Sequence, residues 1–251
     1  MMTASNILSR LPRRIKSPLK RLYSWVWGGY KIDRYLKSAN NKKASPVLVV
    51  FGGHWSVNPG WLILNEREQD ITRTLRFPDV SVDMIFTEHV IEHLSFEDAI
   101  HFFKEAKRIL KPGGVFRVVC PILDRLIEAD FSEDLGKRYI KTSIIPAYAK
   151  EHEILKSLGV GGVCEEPKIF FFNGIFMHWG HKFIWSSALL RCVLERVGFS
   201  KVNECVIGDG LMKQHCIERR NRGIYLGNSY EEDRKSINVF DPESGVIECI
   251  K

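Results

Sequence analysis

The apolar positions of this chain change period several times, and each change marks an element. Val47-Leu48-Val49-Val50-Phe51 is a continuous apolar run of strand length, closed by Gly52-Gly53. Leu62 to Asn65 is a second short strand, and Val82-Asp83-Met84-Ile85-Phe86 a further one after the turn signal Pro78-Asp79. The period then becomes helical: Ala99, Ile100, Phe103, Ala106, Ile109 and Leu110 recur at three- and four-residue spacing. Ser95 stands at the cap position, with Glu97 and Asp98 in the first turn. Lys111-Pro112-Gly113-Gly114 is expected to end this helix and turn the chain into a strand over 115–120. Strand, helix, turn and strand form a βαβ unit, which implies a parallel sheet flanked by helices.

Beyond Pro121 the pattern is mostly helical from 122 to 158, interrupted by Pro146 and followed by a loop holding Gly159, Gly161 and Gly162. A helix capped by Ser186 and ended by Gly198 is expected over 188–197, then a strand over 202–207. A terminal hairpin is expected to pair 237–240 with 246–250 across Asp241-Pro242-Glu243-Ser244-Gly245. The fold class is therefore α/β: a mostly parallel, Rossmann-like sheet with an antiparallel C-terminal hairpin and helices on both faces.

Charge divides the chain. The net charge of the 251 residues is +7, but residues 1–43 carry eleven Lys or Arg and one acid, Asp33, so the rest is slightly acidic. This gives a basic N-terminal arm (1–43) and a domain (44–251) with an insertion over 122–182. Pro12 and Pro18 are expected to break any long helix in the arm. Its Leu22, Tyr23, Trp25 and Trp27 lie beside Lys20 and Arg21. Such a segment suits an anionic membrane surface, a nucleic-acid backbone, or packing of its aromatics on the domain; its Arg- and Ser-rich, acid-poor makeup also has the flavour of a transit peptide. No apolar run approaches a membrane span. The six cysteines are scattered without ligand or disulfide spacing, so a reducing cytoplasm, with peripheral membrane contact through the arm, is the expected location.

Thr87 to Leu94 mixes charge with apolar residues at the carboxyl end of a strand, where ligands bind in open α/β sheets. Glu88, His89, Glu92 and His93 are site candidates by that position. The segment FPDVSVDMIFTEHVIEHL, followed by RILKPGGVFRVVCP, resembles motifs IV to VI of class I S-adenosylmethionine-dependent methyltransferases. It is closest to small members that carry HVLEHL and LKPGG, and a weaker likeness extends from about Val47 to Phe199.

The resemblance implies S-adenosylmethionine as cofactor, held by Gly52, Gly53, Asn65, Glu66, Asp70, Ile71, Glu88 and His89. Asp70 would accept from the adenine amino group, with Ile71 against the ring. Two departures stand out: Phe51 occupies the place of the family's first glycine, and Asn65 that of the acid that binds the ribose. A bulky Phe51 side chain is expected where methionine or ribose would lie. His89 and His93 are the candidate general bases, since a neutral imidazole can take a hydroxyl proton. Phe176, His178, Trp179 and His181, in an HWGHK element, are the candidate acceptor-binding residues. No metal site is expected, because the two histidines of that element lack visible further ligands.

The resulting expectation is O-methylation of a small molecule or sugar hydroxyl in glycan, surface-polymer or secondary metabolism. Two alternatives stay open: a non-catalytic relative that has lost cofactor binding through Phe51 and Asn65, and an RNA methyltransferase that holds phosphate with the basic arm.

Overall fold

The structure is a computed structural model that describes residues 13–41, 45–52, 60–163, 165–212, 215, 217 and 242–251, with side chains from residue 22 onward. Helix α1 (Arg13–Asn41) precedes strand β1 (Leu48–Phe51) and β2 (Trp61–Leu64). β3 (Val82–Glu88) leads through a 3₁₀ turn (Ile91–His93) into α2 (Phe96–Ile109) and β4 (Leu110–Pro121). The insertion supplies α3 (Leu123–Glu128), α4 (Asp134–Tyr139), a π turn (Ile140–Ile144), α5 (Ile145–Ala147), α6 (Ala149–Ser157) and α7 (Pro167–Met177). α8 (Ser187–Val197), β5 (Ser200–Cys205) and β6 (Ser244–Ile250) close the domain.

The strands form one sheet in the order β2-β1-β3-β4-β6-β5. The first four are parallel; β6 runs antiparallel to both β4 and β5. The expected class is therefore what the sheet has. The terminal strand is present, but its observed partners are β4 and β5, and the expected hairpin partner over 237–240 lies outside the described residues. Among the described residues no strand lies between β2 and β3, and Asp70 opens a turn, its carbonyl accepting from Arg73 N–H at 3.4 Å.

Ser95 caps α2 as expected: its Oγ accepts from the Asp98 backbone N–H at 3.1 Å and donates to the Asp98 carboxylate at 2.6 Å. Gly198 ends α8 in the left-handed region at φ 101°. Lys111-Pro112-Gly113-Gly114 differs from the expectation. It is not a turn but part of β4, which starts at Leu110, opposite Val82. The register shifts between Val82 and Met84, and Gly113 takes φ 78°, so the extra residues bulge out of the ladder. Lys251 holds the bulge from the far side, accepting from Gly113 N–H at 3.1 Å and donating to the Gly114 carbonyl at 3.0 Å.

The arm also departs from expectation, because α1 runs unbroken through Pro18. A proline removes one backbone donor, a cost borne near the start of the helix, while the later turns are fastened to the sheet. Ile32 enters the main core, with Tyr35, Leu36 and Ala39 packed beside it. The Tyr35 hydroxyl accepts from Leu48 N–H at 3.0 Å and donates to the Gly60 carbonyl at 2.6 Å. Lys31 pairs with the nearly buried Glu68 at 2.7 Å. Gly28 lets the helix approach that turn, since a Cβ there would lie 2.2 Å from the Glu68 carbonyl oxygen. The guanidinium of Arg76 lies 4.9 Å over the Trp25 ring. The arm thus packs on the domain. Yet Leu22, Tyr23, Val26, Trp27 and Tyr30, which share the opposite helix face by their spacing, remain exposed.

Phe51 corrects a further expectation. Its ring is fully buried in the main core, edge-on to Phe77 at 6.1 Å and to Phe102 of α2 at 5.6 Å. Strand alternation explains this: Val49 and Phe51 face α2, while Leu48 and Val50 join the cluster on the other side of the sheet. Phe51→Ala is accordingly expected to cost about 3–5 kcal/mol of unfolding free energy in denaturant titration, with no gain in affinity for a ligand at the sheet edge. A tighter-binding, equally stable variant would contradict this packing.

Candidate active site at the carboxyl edge

The carboxyl ends of β1 and β3 lie side by side, Phe51 opposite Thr87. Gly52 follows β1, exposed and left-handed at φ 78°. A Cβ on it would stand 2.2 Å from a Val90 methyl, so only glycine fits this crossing. Its N–H donates to the Leu64 carbonyl at 2.9 Å, which ties the end of β1 to β2. Gly53 lies outside the described residues.

Asn65 follows β2, exposed, with its side-chain oxygen accepting from the N–H groups of Arg67 at 3.0 Å and Glu68 at 3.2 Å. That oxygen caps its own turn, so the expected acceptor for ribose hydroxyls is already engaged. Glu66 is exposed on the same turn. The nearby buried acid is Glu68, held by Lys31 and by Asn65 N–H. Asp70 resembles Asn65 in this. One oxygen accepts from Thr72 N–H and its hydroxyl at 3.0 and 2.7 Å, and the other pairs with Arg73 at 3.3 Å. Its carboxylate serves its own turn, while Ile71 leans on the core.

Glu88 is the last residue of β3 and His89 follows it. His89 has φ 52°, an uncommon backbone state for a non-glycine residue, which a surrounding network must hold. Its Nδ1 lies 3.1 Å from a Glu92 oxygen and 4.0 Å from Glu243, and its Nε2 is 2.9 Å from the Ser244 hydroxyl. Two carboxylates at Nδ1 place the proton there, leaving Nε2 to accept from Ser244. Carboxylate, imidazole and hydroxyl thus stand in the order of a nucleophilic triad. Ser244 is 1% and Glu92 0% exposed, however, so no acceptor reaches that hydroxyl. The group is a buried polar network that fixes His89, and Glu92 is its orienting carboxylate. Glu243 and Ser244 carry no local signal in the sequence, because only the antiparallel return of β6 along β4 brings them within reach of His89.

His93 is less enclosed. Its ring meets His181 edge-on at 4.8 Å, and its Nδ1 faces the Gly180 carbonyl at 3.4 Å. The HWGHK element therefore comes to the edge through His181. His178 instead stacks on Tyr148 at 4.8 Å, and Phe176 stacks on Phe172. Trp179 is exposed at φ 59° and lies 5.9 Å from the His181 ring. Phe171 packs with Phe131 and Tyr139 in a second core belonging to the insertion. A cavity of about 520 Å³ opens in that insertion, lined by Phe131, Lys137, Ile140, Lys141 and Lys168 among others, but by none of the carboxyl-edge residues.

Against known proteins, residues 33–118 match the family model described as a methyltransferase domain. A protein of Mycolicibacterium smegmatis named "Probable S-adenosylmethionine-dependent methyltransferase" is 49% identical over 47 residues, 19% of this chain and 18% of that protein, so the chain spans under a fifth of the curated relative's length. Among solved structures, a SAM-dependent methyltransferase from Archaeoglobus fulgidus overlaps 87% of this chain and 94% of its own, at 14% identity and a TM-score of 0.42. Human N-acetylserotonin methyltransferase in complex with SAM overlaps 82% of this chain and 40% of its own, at 12% identity and a TM-score of 0.40. The family match falls on the strands and turns that build this edge, and over those residues the chain resembles a methyltransferase domain.

Proposed function

We propose that the chain transfers a methyl group from S-adenosylmethionine to a hydroxyl of a small molecule or sugar. The observation that carries the reading is the pairing of Gly52 with the core-facing Phe51. The one residue that would have blocked the edge points into the core, and the next has no side chain. A backbone bare of Cβ beside Glu88 suits the close approach of an adenosyl group. Glu66 is the carboxylate placed to receive the ribose hydroxyls, since the Asn65 oxygen caps its own turn. Gly52, Glu66, Ile71 and Glu88 would therefore hold the cofactor.

The reaction is an in-line displacement. A lone pair of the acceptor oxygen forms the new O–CH₃ bond, and the S–CH₃ pair returns to sulfur, giving neutral S-adenosylhomocysteine. Alignment supplies much of the rate. The acceptor's proton leaves on the side of His93 and His181, because His89 is held within the Glu92–Ser244 network. Trp179, exposed next to His181, is the apolar wall offered to the acceptor.

Calorimetric titration of the full chain with S-adenosylmethionine is expected to give saturable binding, and Gly52→Ala to weaken it at least tenfold, about 1.4 kcal/mol or more. No heat from the unsubstituted chain would favour the non-catalytic reading instead. With labelled cofactor, the methyl group is expected on oxygen of polyol or phenol acceptors; transfer only to amines or RNA would replace the acceptor class.

The arm supports a location for this activity at an anionic membrane surface. Its outward face presents Leu22, Tyr23, Val26, Trp27 and Tyr30, bordered by exposed Arg34 and Lys37. Aromatic and aliphatic side chains gain from insertion among headgroups, and cations from anionic lipid. Flotation with vesicles containing phosphatidylserine is expected to carry the chain upward. Trp27→Glu combined with Val26→Glu should abolish it, and neutral vesicles should bind several-fold less. Equal retention of the double variant, or salt-sensitive RNA binding in its place, would refute the membrane assignment.

A further inference from the structure

Three ligand-type side chains meet where β3 gives way to α2. Glu92, His93 and His181 each offer one donor atom, and those atoms all lie within 4.8 Å of one another. Of the two histidines in HWGHK, His178 stacks on Tyr148, while the fold joins His181 to a buried carboxylate and a second imidazole. How the backbone builds the cluster is visible. The Glu92 carbonyl accepts from the N–H groups of Lys182 at 2.7 Å and Phe183 at 3.2 Å, so the segment carrying His181 is clamped onto the turn carrying Glu92 and His93.

The tautomers suit coordination as well. His181 Nδ1–H donates to the Ile175 carbonyl at 2.6 Å, which leaves the lone pair on Nε2. The Nδ1 of His93 faces the Gly180 carbonyl at 3.4 Å, the same arrangement in longer form. Metal-binding histidines are commonly oriented in this way by a carbonyl behind the ring. The Glu92 side chain is 0% exposed, and clusters of solvated acids have no such feature. His89 Nδ1 stands against one of its oxygens, as a second group orienting a ligating carboxylate would. Two imidazoles and one carboxylate are a donor set for Zn²⁺ or a neighbouring divalent transition ion. Bonds of about 2.0–2.2 Å bring donor atoms to roughly 3–3.6 Å apart, so the side chains would close by about an ångström.

We propose that Glu92, His93 and His181 form a binding site for one divalent transition-metal ion. Its remaining positions take the oxygen that accepts the methyl group and a neighbouring oxygen of the same molecule. Binding of the ion stands by itself; its role toward an acceptor rests on the methyltransferase reading. Coordination lowers the pKa of the acceptor hydroxyl. The O–H proton passes to water, the oxygen's pair forms the O–CH₃ bond, and S-adenosylhomocysteine leaves. The acceptor class is thereby narrowed to vicinal diols or hydroxyls beside another oxygen.

The test uses the untagged full-length chain, stripped with a chelator and dialysed against Zn²⁺ or Co²⁺. Elemental analysis is expected to find about one ion per chain, and Co²⁺ to give visible d–d bands. His93→Ala and His181→Ala should each weaken retention a hundredfold or more, with circular dichroism confirming the fold. Glu92→Gln should do the same where it folds. No retained ion in the unsubstituted chain, or equal retention in both histidine variants, would overturn the site. Titration with S-adenosylmethionine is run in parallel. Cofactor binding without metal binding removes only this inference, and metal binding without cofactor binding removes only the methyltransferase reading.

Discussion

The backbone and side chain of Glu92 hold the functional edge together. Its carboxylate faces His89, at the end of β3, and its carbonyl receives the strand-like segment that returns from the insertion. One residue on a single 3₁₀ turn therefore connects the sheet, the helix that follows it and the loop carrying His181. A fully buried carboxylate is costly unless charged and polar partners surround it. The positive φ of His89 and the convergence of Glu243 and Ser244 are parts of the same solution. The network brings the carboxylates of Glu92 and Glu243 and the Ser244 hydroxyl around one imidazole, and the half-buried rings of His93 and His181 meet beside it.

Phe51 shows how a departure from a family pattern can be misread when the side-chain direction is left out. A glycine replaced by phenylalanine reads as an obstruction. Yet in a strand every second residue faces the same layer, and Val49 already places that layer against α2. The alternation was visible in the run Leu48-Val49-Val50-Phe51, and it assigns the ring to the core. The residue that has to be small is Gly52, because Val90 crosses within reach of it.

The sheet, α2 and α8 were legible because their periods and caps are local. The elements that failed were those decided by distant partners. Lys111 to Gly114 carries every local mark of a turn, but the pairing of Leu110 with Val82 on one side and the bonds of Gly113 and Gly114 to Lys251 on the other draw it into β4. Arg117, inside an apolar strand, gave no sign of its role. It faces Glu248 directly across the β4–β6 pair at 2.7 Å, fully buried, and its guanidinium also donates to the Val206 and Asp209 carbonyls. At the carboxyl edge, the positions of Gly52, Glu88, His89, Glu92 and His93 were legible from the order of strand and helix alone. Asp70 and Asn65 could not, because whether an Asx side chain caps its own turn or faces a ligand depends on the backbone that follows.

The same reasoning bears on the arm. Tyr35 and Lys31 are fastened to the end of β1 and to Glu68, and Glu68 also receives Asn65 N–H. The turn that offers Glu66 is therefore braced by α1, so the arm is part of the edge's support rather than an appendage. A helix has two faces, and this one commits Ile32, Tyr35 and Ala39 to the domain while Leu22, Val26 and Trp27 point away. Contact with a lipid surface through the second face leaves the first undisturbed. Since Gly28 and Arg76 lock the helix close to the turn at Glu68, a surface held by the outward face would also fix the orientation of the sheet edge relative to it, and with it the direction from which an acceptor arrives.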